Sequence, residues 1–276
     1  MKRCYTRAAM TVLMAAAMLI ILLAAATVQA DAGTYYLKDP LPEGKDQYVN
    51  WGQSYDSEAV TYITVKPSKT GVIKFSTDFY CYVSLCDSNR KVLSVGSDST
   101  GDYIDNNNTN SFMQKVFYGV KKGKTYKLKI VNMPTFTTQA SDGNYYYYGK
   151  MKYTNTKVSP SKYGKSKKKA KAIKKNKTVK GLFTAGSKKA QWYKITNKQK
   201  KTKIYIAAPK QNYRMKFTVY YKDGNKWKNT YTILSRQTDY SKDIFQGTIT
   251  KKVKHTYYIK VTPEAKSSGT YTIKWK

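Results

Sequence analysis

Thr125-Tyr126-Lys127-Leu128-Lys129-Ile130 and Thr256-Tyr257-Tyr258-Ile259-Lys260-Val261 are one pattern written twice in a chain of 276 residues. In each copy the apolar residues alternate with polar ones, the period of a strand with one face buried and the other in water. Each copy follows a Lys-rich turn and leads to a last strand, and the last strands match as well: Gly149-Lys150-Met151-Lys152-Tyr153 against Tyr271-Thr272-Ile273-Lys274-Trp275. Toward the N-terminus, Ile63 and Val65 then Ile73 and Phe75 stand where Tyr193 and Ile195 then Ile204 and Ile206 stand in the second copy. A strand, polar turn, strand unit recurs too. Val83 and Leu85, the Asp87 turn, Val92 and Leu93 answer to Phe217 and Val219, the Asp223 turn and Trp227. Self-similarity on this scale marks one module used twice.

The segments around these repeats are short, rich in Tyr, Val, Ile, Thr and Phe, and bounded by turn clusters such as Lys66-Pro67-Ser68, Asp87-Ser88-Asn89-Arg90 and Lys121-Lys122-Gly123. No amphipathic helical stretch of useful length interrupts them. The expected fold is all-β, with two tandem antiparallel β-sandwiches, at 31–156 and 178–276. Roughly a hundred residues suffice for one sandwich core. Lys127, Lys129, Lys150, Lys152 and Lys274 fall at outward positions, where a charge discourages edge-to-edge pairing.

Residues 1–30 read as an address. Lys2, Arg3 and Arg7 precede an apolar stretch from Ala8 to Val28, and Val28-Gln29-Ala30 offers small residues where a signal peptidase cleaves. Cleavage after Ala30 is expected; the competing reading is a retained anchor, since the apolar stretch approaches the roughly 20 residues of a spanning helix. The remaining chain has no other segment that could span a bilayer. Its charge is lopsided: 31–156 carries 15 Lys plus Arg against 12 acids, whereas 157–276 carries 33 against 4, a net of +29. Residues 157–177 alone hold ten Lys and no acid, with Pro160, Gly164 and several Ser, and are expected to form an extended linker held open by self-repulsion, with an isolated helical turn near Lys167 to Ile173 as the alternative.

Cys81 and Cys86 lie in one predicted strand, Phe79 to Cys86. Five residues apart they point to opposite faces about 16 Å apart, against the roughly 7 Å limit for bridged α-carbons, so both thiols are expected free. Cys81 shares a face with Val83 and Leu85 and belongs to the core, and Cys86 faces out.

The order Trp192-Tyr193-Lys194-Ile195, Lys203-Ile204-Tyr205-Ile206, a strand ending in Lys222-Asp223-Gly224-Asn225, then Thr256 to Val261 and Gly269-Thr270-Tyr271-Thr272-Ile273 resembles the bacterial pre-peptidase C-terminal domain. The first copy is similar over Tyr62 to Val65, Val83 to Leu93 and Thr125 to Leu128. The resemblance implies tandem jelly-roll-like sandwiches of the kind found as non-catalytic appendages of secreted proteases and glycosidases. No enzyme domain accompanies them in this sequence.

Chemistry-bearing groups are few. The single histidine, His255, sits among lysines with no local acid to orient it, so neither a multi-histidine metal site nor a nucleophile–base pair can be assembled around it. An enzyme is not expected, and no cofactor is. Asp98, Asp102 and Asp105, beside Asn106 to Asn108, supply hard oxygen ligands that suit Ca²⁺, and some relatives of the resembled family bind calcium in loops; ordinary loop chemistry is the competing reading. Tyr145, Tyr146, Tyr147 and Tyr148 are consecutive, so alternate rings face outward in a strand, and with Trp227 they are the rings expected to stack on sugars.

The basic half carries the main functional expectation. A field of this size attracts polyanions at long range and in a salt-dependent way. Lys165, Lys167, Lys168, Lys169, Lys171, Lys174, Lys175 and Lys177 are the expected contacts, with an anionic cell-wall polymer or polysaccharide as partner. Lys outnumbers Arg, which suits diffuse attraction better than bidentate phosphate reading, and no RNA- or DNA-binding module is recognisable, so nucleic acid is not the expected partner. The expectation is a secreted, non-enzymatic binding protein of the cell envelope; the alternative is a neutral-carbohydrate-binding or accessory module working with a secreted protease or glycosidase.

Overall fold

Alternation of buried and more exposed side chains runs through 71–75, 126–131, 151–155, 191–195, 202–208, 256–261 and 269–275 of the protein, whose computed structural model describes residues 39–53, 60–78, 81–95, 102–104, 114–132, 138–139, 145–197, 202–209, 215–223, 226–234, 244–251, 256–264 and 266–276. Among them the chain is all-β. The first half contributes β1 (Gln47–Gln53), β2 (Val60–Val65), β3 (Gly71–Thr77), β4 (Cys81–Cys86), β5 (Val92–Ser94), β6 (Asp102–Ile104), β7 (Gln114–Val120), β8 (Tyr126–Asn132), β9 (Thr138–Gln139) and β10 (Tyr145–Lys157). The second contributes β11 (Lys171–Ala172), β12 (Thr178–Phe183), β13 (Gln191–Thr196), β14 (Thr202–Pro209), β15 (Met215–Asp223), β16 (Lys226–Leu234), β17 (Ile244–Lys251), β18 (Thr256–Pro263) and β19 (Gly269–Trp275).

The sheets repeat. In the first half β1-β10-β3-β7, with β9 beside β10, packs on β2-β8-β4-β5, with β6 also on β4. In the second, β12-β19-β14-β17 packs on β13-β18-β15-β16, with β11 added beside β13. Strand for strand these are the same two orders, so the sequence repeat is a repeat of topology. All neighbours are antiparallel except β11 and β13, which run parallel. Each sandwich closes on its own core: Ile63, Val65, Ile73, Phe75, Val83, Leu85, Tyr126 and Leu128 in the first, Tyr193, Ile195, Ile204, Ile206, Phe217, Val219, Tyr257 and Ile259 in the second. The Asp87 turn forms as expected, Asp87 Oδ1 accepting from the amides of Asn89 and Lys91 while Arg90 takes φ 63°.

A feature outside strict alternation also repeats. The ladder slips by one residue between Leu85 and Cys86 opposite β5, and between Val219 and Tyr220 opposite β16, the equivalent place in the second module. A bulge of this kind exchanges the two faces of the partner strand beyond it.

The chain from 158 to 177 corrects the extended-linker expectation. Its lysines other than Lys167 face solvent, but Val158, Ala170 and Ile173 are buried, and Ile173 belongs to the second core. Gly164 and Trp192 exchange amide bonds in both directions at 2.9 Å, the Ile173 amide donates to Lys194 O, and Trp275 Nε1 donates to Ile173 O at 2.8 Å. A tight turn with i to i+3 bonds from Lys169 and Ala170, rather than a helical turn, reverses the chain before β11. Gly164 permits it, because a Cβ there would lie 2.1 Å from Lys169 O. Apolar burial and β-addition at the free edge of β13 outweigh the repulsion among lysines that keep their ammonium groups in water.

The two sandwiches are also docked. Ala185, from the second module, completes the first module's core, its amide donating to Gly119 O at 2.7 Å. Gly186 N donates to Leu93 O and Val95 N to Lys266 O. Buried Ser268 accepts from Gly119 N at 3.0 Å and shares a 2.7 Å hydrogen bond with Ser94. β7 ends its sheet, so these contacts satisfy backbone groups that an open edge would leave to solvent.

Candidate functional site

Residues 158–177 form an arm along the edge strand β13, and the eight expected lysines are all on it. Lys165, Lys168, Lys169, Lys171, Lys174, Lys175 and Lys177 are exposed, while Lys167 is half-buried. The buried residues between them hold the arm to the sandwich, so the charges belong to a folded surface rather than a free tether. That matters for recognition, since ordering the arm is already included in folding and need not be met on binding.

Lys167 connects the arm to a second feature. Its Nζ lies 3.7 Å from the centre of the Trp227 ring and 5.4 Å from that of Tyr220. Trp227 meets Tyr258 edge-on at 5.0 Å, Trp192 and Tyr220 are stacked at 5.8 Å with 29° between their planes, and Lys260 Nζ lies 5.9 Å from the Trp192 ring. The ladder explains the grouping. Trp192 pairs with Lys260, Lys194 with Tyr258, Tyr258 with Tyr220, and Lys222 with Trp227, all on the outer face of one sheet. Their neighbours Tyr193, Ile195, Tyr257, Ile259 and Val219 point into the core. Trp227 reaches this face only because of the bulge at Val219 and Tyr220; in unbroken register Lys228 would oppose Lys222.

Of this cluster the sequence reading singles out Lys167 and Trp227, and the structure brings those two together. It misses Trp192, Tyr220 and Tyr258, although the alternation Trp192-Tyr193-Lys194-Ile195 was sufficient to place Trp192 and Lys194 on one face. The equivalent face of the first module is different. Cys86, at the position matching Tyr220, lies on the face opposite the core, as expected, and is nonetheless fully buried there.

Burial pushes the Cys81 thiol up to about 12, against a hydrogen bond from Thr77 that lowers it, and the Cys86 thiol up to about 11, with the Lys129 ammonium opposing. Both are free, and neither is a reactive thiol. The Tyr193, Tyr271 and Gln191 side chains form a buried hydrogen-bonded set inside the second core, Gln191 Nε2 donating in turn to Leu182 O. Burial raises Tyr271 well above the usual phenol value. This set is closed on itself, so its role is structural.

Tyr145 to Tyr148 form the start of β10, paired with β1 from Asn50 to Gln53, and their side chains lie outside the described residues. Asp102 is in β6 opposite Val83, but its side chain, with Asp98, Asp105 and His255, lies outside them too. So do residues 1–30. Among the described residues no group of three or more His, Cys, Asp or Glu is placed to hold a metal ion, and no helix is long and apolar enough to cross a membrane.

No protein-family model matches the chain, and no curated protein does. Among solved structures it is similar to the pre-peptidase C-terminal domain of collagenase from Bacillus anthracis, at 18% identity over 38% of this chain and 93% of that one, TM-score 0.30. An isomalto-dextranase from Arthrobacter globiformis T6, complexed with panose, matches at 9% identity over 86% of this chain and 35% of that one, TM-score 0.24. The secreted serine protease VesC from Vibrio cholerae matches at 9% identity over 79% and 46%, TM-score 0.25. None of these likenesses is strong enough to carry a function across.

Proposed function

We propose that this chain is a secreted, non-enzymatic binding protein that holds an anionic polymer of the cell envelope through the basic second sandwich and its arm. The observation that carries this reading is the arm itself: seven exposed lysines between residues 165 and 177, on backbone fixed by Ala170, Ile173 and Trp275, in a half-chain with 33 cationic and 4 acidic side chains. Fixed charges of one sign attract a polyanion over about 8 Å at physiological salt and set its path once bound. The N-terminal thirty residues, read as an export signal, put the protein where wall polymers and acidic polysaccharides are found.

The test uses the chain from Asp31 onward with teichoic acid, polygalacturonate and heparin, against neutral dextran, at 20 mM and 500 mM NaCl. The reading expects binding to the three polyanions at low salt, a steep loss at high salt and no binding to dextran. Indifference to all three polyanions at low salt overturns it.

A further inference from the structure

We infer that the outer face of the β13-β18-β15-β16 sheet is a binding site for acidic pyranose chains, so that the polymer held by the second module is a polyuronate-like glycan rather than a ring-free polyanion. This rests on the polyanion reading above and narrows it to one ligand chemistry. The site is a row of rings with ammonium groups standing over it: Trp192 stacked on Tyr220, Trp227 edge-on to Tyr258, Lys260 over Trp192, and Lys167 over Trp227 and Tyr220. It crosses four strands, about 14 Å at the usual interstrand spacing.

Each component constrains the occupant. Trp227 is 42% exposed, and Trp192, Tyr220 and Tyr258 are half-buried on a sheet face that belongs to no core. Aromatic surface left in water beside a well-packed sandwich is the kind of patch that marks a contact site. A pyranose fits it by laying its C–H face on a ring, which a polyphosphate or an acidic peptide backbone cannot do.

The ammonium groups set the charge. Lys167 and Lys260 stand over the rings, and Lys194 and Lys222 share the face, so a sugar stacked here has a cation beside it and gains from a carboxylate or sulfate at that position. A neutral glycan would use the rings and bring no anion to the ammonium groups beside them. The one carboxylate residue in the sequence of β11, β13, β15, β16 and β18 is Asp223, at the end of β15, so self-neutralisation does not remove the field. The arm lies along the edge of the same sheet and brings Lys167 onto Trp227, so the arm's lysines extend the row beyond the sheet. The cations are lysines without the planar fork of Arg that reads phosphate bidentately, which favours a glycan over single-stranded nucleic acid.

The experiment titrates the chain from Asp31 with polygalacturonate, with poly-glutamate of matched length as the ring-free carboxylate polymer, and with oligo-dT, following tryptophan fluorescence and calorimetry at low salt. The same titrations are run on Trp192→Ala/Tyr220→Ala and on Lys167→Gln, with thermal melts to show that each folds. The expected result is that polygalacturonate binds about tenfold or more tighter than poly-glutamate, that the double ring variant erases the difference while binding poly-glutamate unchanged, and that Lys167→Gln weakens polygalacturonate several-fold. Equal binding of both carboxylate polymers, unaffected by the ring changes, overturns this inference and leaves the polyanion reading standing. Failure of both to bind overturns the two together. Ring-dependent binding of oligo-dT tighter than polygalacturonate overturns it in favour of nucleic acid.

Discussion

Replacing Gly119 by Ala tests whether the two sandwiches form one cooperative body. A Cβ at Gly119 would lie 2.0 Å from Phe183 O and 2.7 Å from Gly269 N, both backbone, where ordinary contact begins near 3.4 Å. Relief requires β7 and the second module to part by more than about 1 Å, since neither obstacle is the end of a flexible side chain. That displacement breaks the 2.7 Å bond from Ala185 N to Gly119 O and the 3.0 Å bond from Gly119 N to Ser268, and loosens the Ser268 to Ser94 contact. Each bond is worth about 1 kcal/mol net, and buried groups left unpaired cost about 1–3 kcal/mol each, so a total of about 3–6 kcal/mol is expected at this junction. Calorimetry of the wild type should give one transition. Gly119→Ala should give a lower first transition with a separate second one, and small-angle scattering should show a longer particle. The control is Gly123→Ala, where a Cβ meets nothing within 4 Å and only the φ of +74° resists. A Gly119→Ala protein that melts in one transition at the wild-type midpoint would refute the docked arrangement.

Ile173→Ala, which empties a fully packed position joining arm to core, should cost about 2–4 kcal/mol in urea unfolding and make the arm accessible to trypsin after its lysines, whereas a tether would show neither change. Tyr271→Phe removes a hydroxyl bonded to Tyr193 and Gln191 at a site without solvent, and should cost about 1–2 kcal/mol at pH 7. The pH dependence has a definite sign. Cys81 and Tyr271 have folded pKa values raised by burial above their unfolded values, so their protonated forms contribute stability that is complete below those unfolded values and is lost as pH rises above them, from about 9 to about 12 for Cys81 and from the ordinary phenol value upward for Tyr271. Tyr271→Phe should therefore lose stability less steeply over that range than the wild type, as read from urea midpoints. In the chain from Asp31, neither Cys81 nor Cys86 should react with an aromatic disulfide reagent at pH 8 until the protein unfolds, when two thiols should appear; prompt reaction of one in the native state would contradict the burial of Cys86.

What could be read in the sequence was whatever depends on local period. Alternation at Thr125 to Ile130 and Thr256 to Val261 located equivalent strands in two equivalent sandwiches, and the Asp87 turn followed from residues that cap their own backbone. What depends on packing between distant segments could not be read. Ser94 and Ser268 are single polar residues with no periodic signature, and only the docking of one sandwich on the other makes them partners. Ala170 and Ile173 were visible inside the lysine run, but charge dominates such a segment until β13 is known to have an open edge beside it. The bulge at Val219 and Tyr220 left no composition signal, yet it decides which face Trp227 occupies and so whether four rings form a row or three.

The proposed role of the arm's fixed lysines is to hold an anionic polymer. Its most direct test is the salt dependence of binding to polygalacturonate by the chain from Asp31, compared with a variant carrying Gln at Lys165, Lys168, Lys169, Lys171 and Lys174. Each ammonium group withdrawn from the polymer should reduce the slope of log K against log salt by about one at most. The wild type should show a steep slope, and the variant a slope shallower by two or more with affinity at least tenfold weaker at low salt. Identical slopes and affinities for the two proteins would contradict it.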